Sequence, residues 1–511
     1  MGEAAKIALS AIGMQDTHLL SKDPEDTLFN LNWKQHSDFR QYHKTRTINN
    51  PNSKPWWPFG ETIKVEFKPQ TMGDILTNVW VKIPLPAWGG DASQGTRQNA
   101  LFGGWHYADF VGRKIIKNIK FIVDENVLQE LDSEMLVIFD QLYKTYDQKV
   151  SLNNSTNLNR LTHRLSYAND LLGHTDLDAE NNLFIPIPFF FSQNYGGDAY
   201  DVNDQRRPAF PLCAILRQKV YIEIEFYKPT HFIYARKYAP RILPSRTIEN
   251  FKIVTGEIKL SDKERFYHKT MPQEMVIETI KKHSSRDINF NVDRTFDIIL
   301  EPKIPVKIFH WFFRLKYFED EGDYHEVKVQ NRNNFMAAAN GGSFVTPTTV
   351  MKKATFTLNG TQFPNVTKLD GEYFKRNVPY ACKLSEPGLL TTLEASHNSR
   401  IPDLVEQQVN TELSKSEIFS YNFAMYPKST QPSGFLDFSQ LNSDKTKLII
   451  DLSESIREIT ITQVRNSISY LFDVNSQIIL NNPLHLVDAT MYLYYTGYMR
   501  LRFNNGFISS L

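Results

Sequence analysis

The sequence predicts an all-β chain built from β-sandwiches, and three observations carry that prediction. Apolar and polar residues alternate in many short runs, long polar stretches separate the runs, and the chain is too long for one ordinary domain. Alternation with period two marks a strand with one face in a core. For 511 residues, domains of about 100–200 residues would number two to four, and sandwiches of up to about 250 residues favour two.

Taken in chain order, the first clear strand is Ile63, Val65 and Phe67 alternating with Lys64, Glu66 and Lys68, followed by Lys114 to Val123. Asp132 then stands as an N-cap before Met135, Ile138, Phe139 and Leu142. Their i, i+3, i+4, i+7 spacing predicts a helix lying against the first sandwich. Val220, Ile222, Ile224 and Phe226 alternate with Tyr221, Glu223 and Glu225, and Phe251 to Leu260 and Val306 to Phe313 follow. Ala354, Phe356 and Leu358, then Leu448 to Leu452 and Met491 to Tyr495, make the second half equally β-rich.

Three polar stretches, Ile48 to Phe59, Ser192 to Pro208 and Asn331 to Thr349, are too long for hairpin turns. They are expected as elaborate loops at the sandwich ends, carrying the outward surface. Lys228 to Arg246 contains Pro229, Pro240 and Pro244, which suits a restrained connector between two halves of similar size.

Composition sets the class. Hydrophobic residues at 41% and aromatics at 13% supply packed cores and exclude a disordered or fibrous chain. Lysine and arginine number 58 against 57 acids, a net charge of +1, so no global field holds nucleic acid or an anionic membrane. Cys213 and Cys382 are the two cysteines; neither a disulfide framework nor a zinc site is indicated, and a reducing compartment fits. The longest apolar run, Leu183 to Phe191, holds two prolines and falls far short of the roughly 20 residues a spanning helix needs. No signal peptide is expected, and Lys6 stands where a myristoylation start wants Ser or Thr.

Chemical motifs are missing. No HExxH, P-loop, GxSxG, CxxC pair or dinucleotide fingerprint occurs, and the 13 histidines are scattered, His36 and His43 without a completing carboxylate. Gly pairs at Gly89, Gly103, Gly196 and Gly341 lack the Lys-Ser/Thr of a phosphate cradle and read as turns. The acceptor patterns at Asn153, Asn154, Asn359 and Asn365 read as chance matches without a secretory signal. Lys228, Arg236, Lys237, Arg241 and Arg246 interleave with Phe232, Tyr234 and Tyr238, a pattern able to bind phosphates and stack bases. A connector whose charges pair with neighbouring acids is the favoured reading. No catalytic residue, cofactor site or metal site is expected.

Four blocks together resemble the major capsid proteins of nucleocytoplasmic large DNA viruses. Gly13 to Phe39 is similar to the family's N-terminal segment, with Gln15, Asp16, Phe29, His36 and Phe39 carrying the match. Leu183 to Gly197, followed by Arg207 to Phe226, resembles the proline-punctuated aromatic run and the strand closing the first jelly roll; Pro186, Pro188, Phe189, Phe190, Pro211 and Leu212 are the residues concerned. Gly256 to Ile280 resembles the opening of the second jelly roll. The most specific block is Phe419 to Leu441, where Gln431, Pro432, Ser433 and Gly434 precede Asp437, Phe438 and Ser439. Phe435, Leu436, Asp437 and Gln440 depart from the family's usual Cys-Asn-Phe-Ser-Arg, Asp124-Glu125-Asn126 replaces the usual Gly-Gly, and Tyr494, Tyr495, Arg500 and Gly506 keep only the outline of the family ending. A divergent member is indicated.

The resemblance implies two consecutive eight-stranded jelly rolls with long loops and a few short helices. It divides the chain into an N-terminal arm (1–40), a first jelly roll (41–228), a linker (229–248) and a second jelly roll (249–511). It further implies a capsid subunit that forms homotrimers of pseudohexameric outline tiling an icosahedral shell, located in the virion and assembled in the host cytoplasm. Implied partners are other copies of the chain, minor capsid and penton proteins and an internal viral membrane, with no direct nucleic acid contact. Gln431, Pro432, Ser433 and Gly434 are expected to form a structural turn. Competing readings are a non-virion scaffold of the same fold that templates a membrane, and a carbohydrate-binding or hydrolytic β-sandwich. The last would need an aromatic platform or carboxylates about 5–9 Å apart in one cleft.

Overall fold

The computed structural model describes residues 37–69, 71–86, 105–108, 110–145, 148–149, 151–152, 182–192, 209–235, 243, 245–319, 329, 332, 350–363, 370–385, 417–428, 432–454 and 488–510. The first ten strands are β1 (Phe39–Asn49), β2 (Thr62–Phe67), β3 (Ile75–Pro84), β4 (Trp105–Tyr107), β5 (Ile116–Val123), β6 (Asn126–Asp132), β7 (Asn182–Ile187), β8 (Val220–Phe226), β9 (Ile233–Ala235) and β10 (Asn250–Leu260). They form two four-stranded sheets, ordered β1-β10-β3-β7 and β2-β8-β5-β6, with β4 and β9 paired as a separate ribbon.

The remaining strands are β11 (Gln273–Asn289), β12 (Thr295–Ile299), β13 (Val306–Leu315), β14 (Met351–Leu358), β15 (Thr361–Phe363), β16 (Phe419–Asn422), β17 (Lys447–Leu452), β18 (Asp488–Asn504) and β19 (Phe507–Ser510). Their sheets run β11-β18-β13-β16 and β12-β17-β14-β15, with β19 added beside β18. Ranked by chain position within each sandwich, leaving out the ribbon and β19, both sandwiches have the same pair of sheets: first-eighth-third-sixth and second-seventh-fourth-fifth. Every pairing among the described residues is antiparallel. This is the expected double jelly roll.

Alternation builds the cores as anticipated. In β8 (VYIEIEF) and β17 (KLIIDL) every second residue is buried, so one face of each strand meets the opposite sheet. The predicted helix is present as Ser133–Ile138, continued by a π turn, Phe139–Tyr143. Asp132 caps it by accepting the Met135 amide at 2.8 Å, which satisfies one of the free donors of the first turn.

Three expectations are corrected. Val220–Phe226 is the seventh strand of the first jelly roll; the closing strand is β10, hydrogen-bonded between β1 and β3. Residues counted from 249 into the second sandwich therefore begin in the first, and the passage between sandwiches runs through the helix Asp262–Thr270. The described part of the expected linker also packs on the first sandwich: β9 pairs with β4, Thr247 bridges Pro55, and Phe232 lies 4.7 Å from Phe59 between ring centroids. Finally, Ile48 to Phe59 does not simply face outward. Trp56, Trp57 and Phe59 are buried in the first core, and the stretch is tied down by Asn50 N–H to Glu249 O (2.8 Å) and Trp56 N–H to Arg246 O (2.7 Å). Large aromatic rings outweigh the polar residues around them because each buries about 150–250 Å². The other two long stretches lie outside the described residues apart from Ser192 and Arg332.

Candidate assembly interface

The joint between the sandwiches is built from two strands that do not alternate. β13 (VKIFHWFFRL) is buried at nine of its ten positions, and in β18 the run Ala489 to Tyr498 is buried throughout. A strand buried on both faces reads as a continuous apolar run. Val306, Phe309, Trp311 and Phe313, with Met491, Leu493 and Tyr495, point into the second core. The intervening Ile308 and Phe312, with Tyr492 and Tyr494, belong to the core of the first sandwich, alongside Leu136, Phe139 and Leu142 of the helical turn. Each buried Ile or Phe favours the closed joint by about 1.5–3 kcal/mol, so the two sandwiches are held as one body.

Polar groups fix the register of that joint. The Arg314 guanidinium, largely buried, donates to Glu134 Oε1 of the helix (2.7 Å), to Glu319 Oε1 (2.9 Å) and to the Tyr492 hydroxyl (3.1 Å), and it lies 4.9 Å from the Tyr492 ring centroid. Burial opposes its charge, but the surrounding acids hold its pKa above the ordinary arginine range. His310, fully buried, sits between the Tyr143 hydroxyl (3.0 Å) and Ser420 Oγ (2.8 Å). Burial lowers its pKa to about 3, so the ring is neutral. Lys307 and Glu278 form a buried ion pair in the same sheet. At the far end the β18–β19 hairpin docks on the first sandwich, with the Leu216 and Arg217 amides donating to Gly506 O (3.1 and 3.2 Å). Gln218 Oε1 there accepts the Ile508 amide (2.6 Å).

The residues singled out from sequence do not converge on one site. Gln15, Asp16, His36 and Gln431 lie outside the described residues, as do Arg236, Lys237, Tyr238 and Arg241 of the basic cluster. Ser433 Oγ accepts the Tyr426 amide (2.9 Å), and Ser433 O accepts the Met425 amide (3.2 Å). Pro432 precedes it, and Gly434 follows at φ 139° with its absent Cβ 3.1 Å from Phe423 O. Leu436 then bridges Val306, and Phe438 is buried against Phe309 and Phe423. Pro186 lies in the edge strand β7, opposite Trp80, where a missing amide leaves no ladder bond unmade. Its carbonyl accepts from Arg113, itself paired with Asp140 at 2.5 Å in a buried salt bridge. Pro188 leads into Phe189, Phe190 and Phe191, which cluster with Phe121 and Phe210.

No group of three His, Cys, Asp or Glu side chains among the described residues is placed to hold a metal. Both cysteines are buried free thiols, Cys213 pushed up to about 11 and Cys382 to about 12 by loss of hydration; a protonated thiol is a poor nucleophile. No described helix is long and apolar enough to cross a membrane.

Two sandwiches of one topology, fused in a single chain and locked through a doubly buried sheet, define a double jelly-roll protein. Residues 27–262 match the family model for the major capsid protein N-terminus. Among solved structures, the capsid of PBCV-1 aligns over 95% of this chain and 99% of its own at 16% identity, with a TM-score of 0.58. The Faustovirus major capsid protein aligns over 97% and 96% at 10% identity, with a TM-score of 0.57. No curated protein matches the chain. At these identities the structural likeness is one of fold, and the sequence match is to residues 27–262. Residues 27–262 are thus similar to the N-terminal part of major capsid proteins, and the whole chain shares their fold.

Proposed function

We propose that the chain is the structural subunit of an icosahedral virus shell, self-assembling as homotrimers whose six sandwiches give each capsomer a pseudohexameric outline. The single observation that carries this is the repeated topology held rigidly in one chain: three copies supply six like units at nearly equal angles. The work done is assembly, with no bond chemistry. A net charge of +1 adds little repulsion between neighbours in a dense shell.

In this proposal residues 1–40 face inward and meet minor capsid proteins or an internal membrane. Through Gly60 the chain carries seven basic and six acidic residues, which disfavours direct genome binding. Penton proteins would fill the vertices, and assembly would take place in the host cytoplasm. The turn from Gln431 to Gly434 serves as a structural clamp. Sedimentation of the purified chain tests the reading: a trimer of about 178 kDa, three times 59.3 kDa, is expected, and a stable monomer at micromolar concentration would refute it.

A further inference from the structure

We infer that the outward face of the helix Asp262–Thr270 is a docking surface for residues 29–33 of the same chain, which ties the N-terminal stretch to the passage between the sandwiches. The inference goes beyond the assembly reading above and does not depend on it.

The helix is turned the reverse way for its position. A surface helix ordinarily lays its apolar stripe on the core and keeps its charges in water. Here Glu264, Arg265 and His268 are the half-buried positions, and no residue of the helix is buried. Polar contacts hold it in place: Arg265 donates to Asp74 Oδ1 (2.8 Å) and to the Leu260 carbonyl (3.2 Å), and His268 Nδ1 bonds Gln273 Oε1 (2.9 Å). The apolar side chains point away from the body. Phe266 is 67% exposed, Tyr267 53%, and Met271 at the end of the helix 51%. Large apolar side chains gathered on one exposed face mark a surface that another segment covers.

The path of the chain points to the occupant. β1 begins at Phe39, which pairs with Leu260, the residue before the Ser261 cap of the helix. The residues ahead of β1 therefore arrive at the start of the helix. Among them Phe29, Leu31 and Trp33 alternate with Asn30, Asn32 and Lys34, a pattern that gives an extended segment one apolar edge and one polar edge. From Leu31 to Phe39 the chain spans up to about 28 Å at about 3.5 Å per residue, and nine helical residues rise only about 13 Å. The whole helix is within reach. Around the apolar face the exposed charges are of both signs, Asp262 with Lys263 and Lys269, whereas a membrane anchor presents a basic rim. Trp33, the largest of the three apolar side chains, supplies the anchor.

Disulfide trapping in the full chain tests this, with Tyr267→Cys combined in turn with Leu31→Cys and with Asn32→Cys. Both native cysteines are buried, so the introduced pair is followed on a non-reducing gel and by peptide mass. An intrachain link is expected to form about tenfold faster with Leu31→Cys than with Asn32→Cys, because a docked segment turns only its apolar edge to the helix. If Tyr267→Cys impairs folding, Met271→Cys replaces it with the same expectation. Equal rates would mean a segment that visits the helix without docking. Links formed only between chains would give the surface to a second copy, and no link with either variant would leave it to a membrane or another protein. Each of these three results overturns the inference. An intrachain link reports on one chain at a time, so a monomeric wild type would refute the trimer reading and leave this result standing.

Discussion

The Tyr494 hydroxyl of the second sandwich donates to Asp132 Oδ2 of the first at 3.0 Å, while Asp132 Oδ1 accepts the Met135 amide at 2.8 Å. One carboxyl thus caps the helical turn and latches it to the neighbouring sandwich. Loss of hydration, reinforced by Glu134, raises its pKa to about 7.

That shift fixes a sign. A carboxyl whose folded pKa exceeds its unfolded value of about 3.9 contributes stability that is fully present below the unfolded value and is lost as pH rises through about 7. Thermal unfolding from pH 4 to 8 is therefore expected to show a wild-type advantage over Asp132→Asn that shrinks with rising pH. A difference that is constant across the range would contradict the assignment.

His310 gives the opposite slope. Its folded pKa of about 3 lies below the unfolded value of about 6.5, so its contribution is present above 6.5 and is lost as pH falls toward 3. His310→Gln, which keeps a polar partner for Tyr143, is expected to weaken the loss of stability on the acid side. An unchanged acid limb of the melting curve would show that other groups set it.

Removing Arg314 leaves Glu134 and Glu319 without their cation in a largely buried site. Arg314→Met is expected to destabilise by about 3 kcal/mol, and adding Glu134→Gln should restore part of that. Denaturant melts of the two single variants and the double variant form the cycle. Simple additivity would mean that the pair does not couple the sandwiches.

Gly434 sits at φ 139°, and a Cβ there would approach Phe423 O at 3.1 Å and Ala424 Cα at 3.2 Å. Gly434→Ala is expected to cost about 1–3 kcal/mol. Ser433→Ala, which removes the side-chain acceptor of the Tyr426 amide, should cost about 1 kcal/mol. Equilibrium unfolding reads both, and wild-type stability in Gly434→Ala would remove the structural role given to this turn.

Much of the fold was legible because alternation reports burial directly: the runs at Ile63, Val220, Ala354 and Leu448 are β2, β8, β14 and β17. The role of β10 was not. Phe251–Leu260 alternates like any half-buried strand, and nothing local tells which sandwich supplies its neighbours. Nor was the joint. Val306 to Phe313, with Lys307 and His310 among its apolar residues, reads as one more alternating run and does not announce burial on both faces, and the pairings of Arg314 with Glu134 and Tyr494 with Asp132 span 180 and 362 residues. Contacts so remote in sequence follow from how the sandwiches pack, which no residue spacing records.

Electron cryomicroscopy of the assembled coat tests the central claim most directly. The account predicts capsomers in which three copies of this chain place six jelly rolls around a common axis, each copy keeping its Arg314 joint closed. A shell whose capsomer density accommodates other folds, or mature particles that lack this chain, would contradict it.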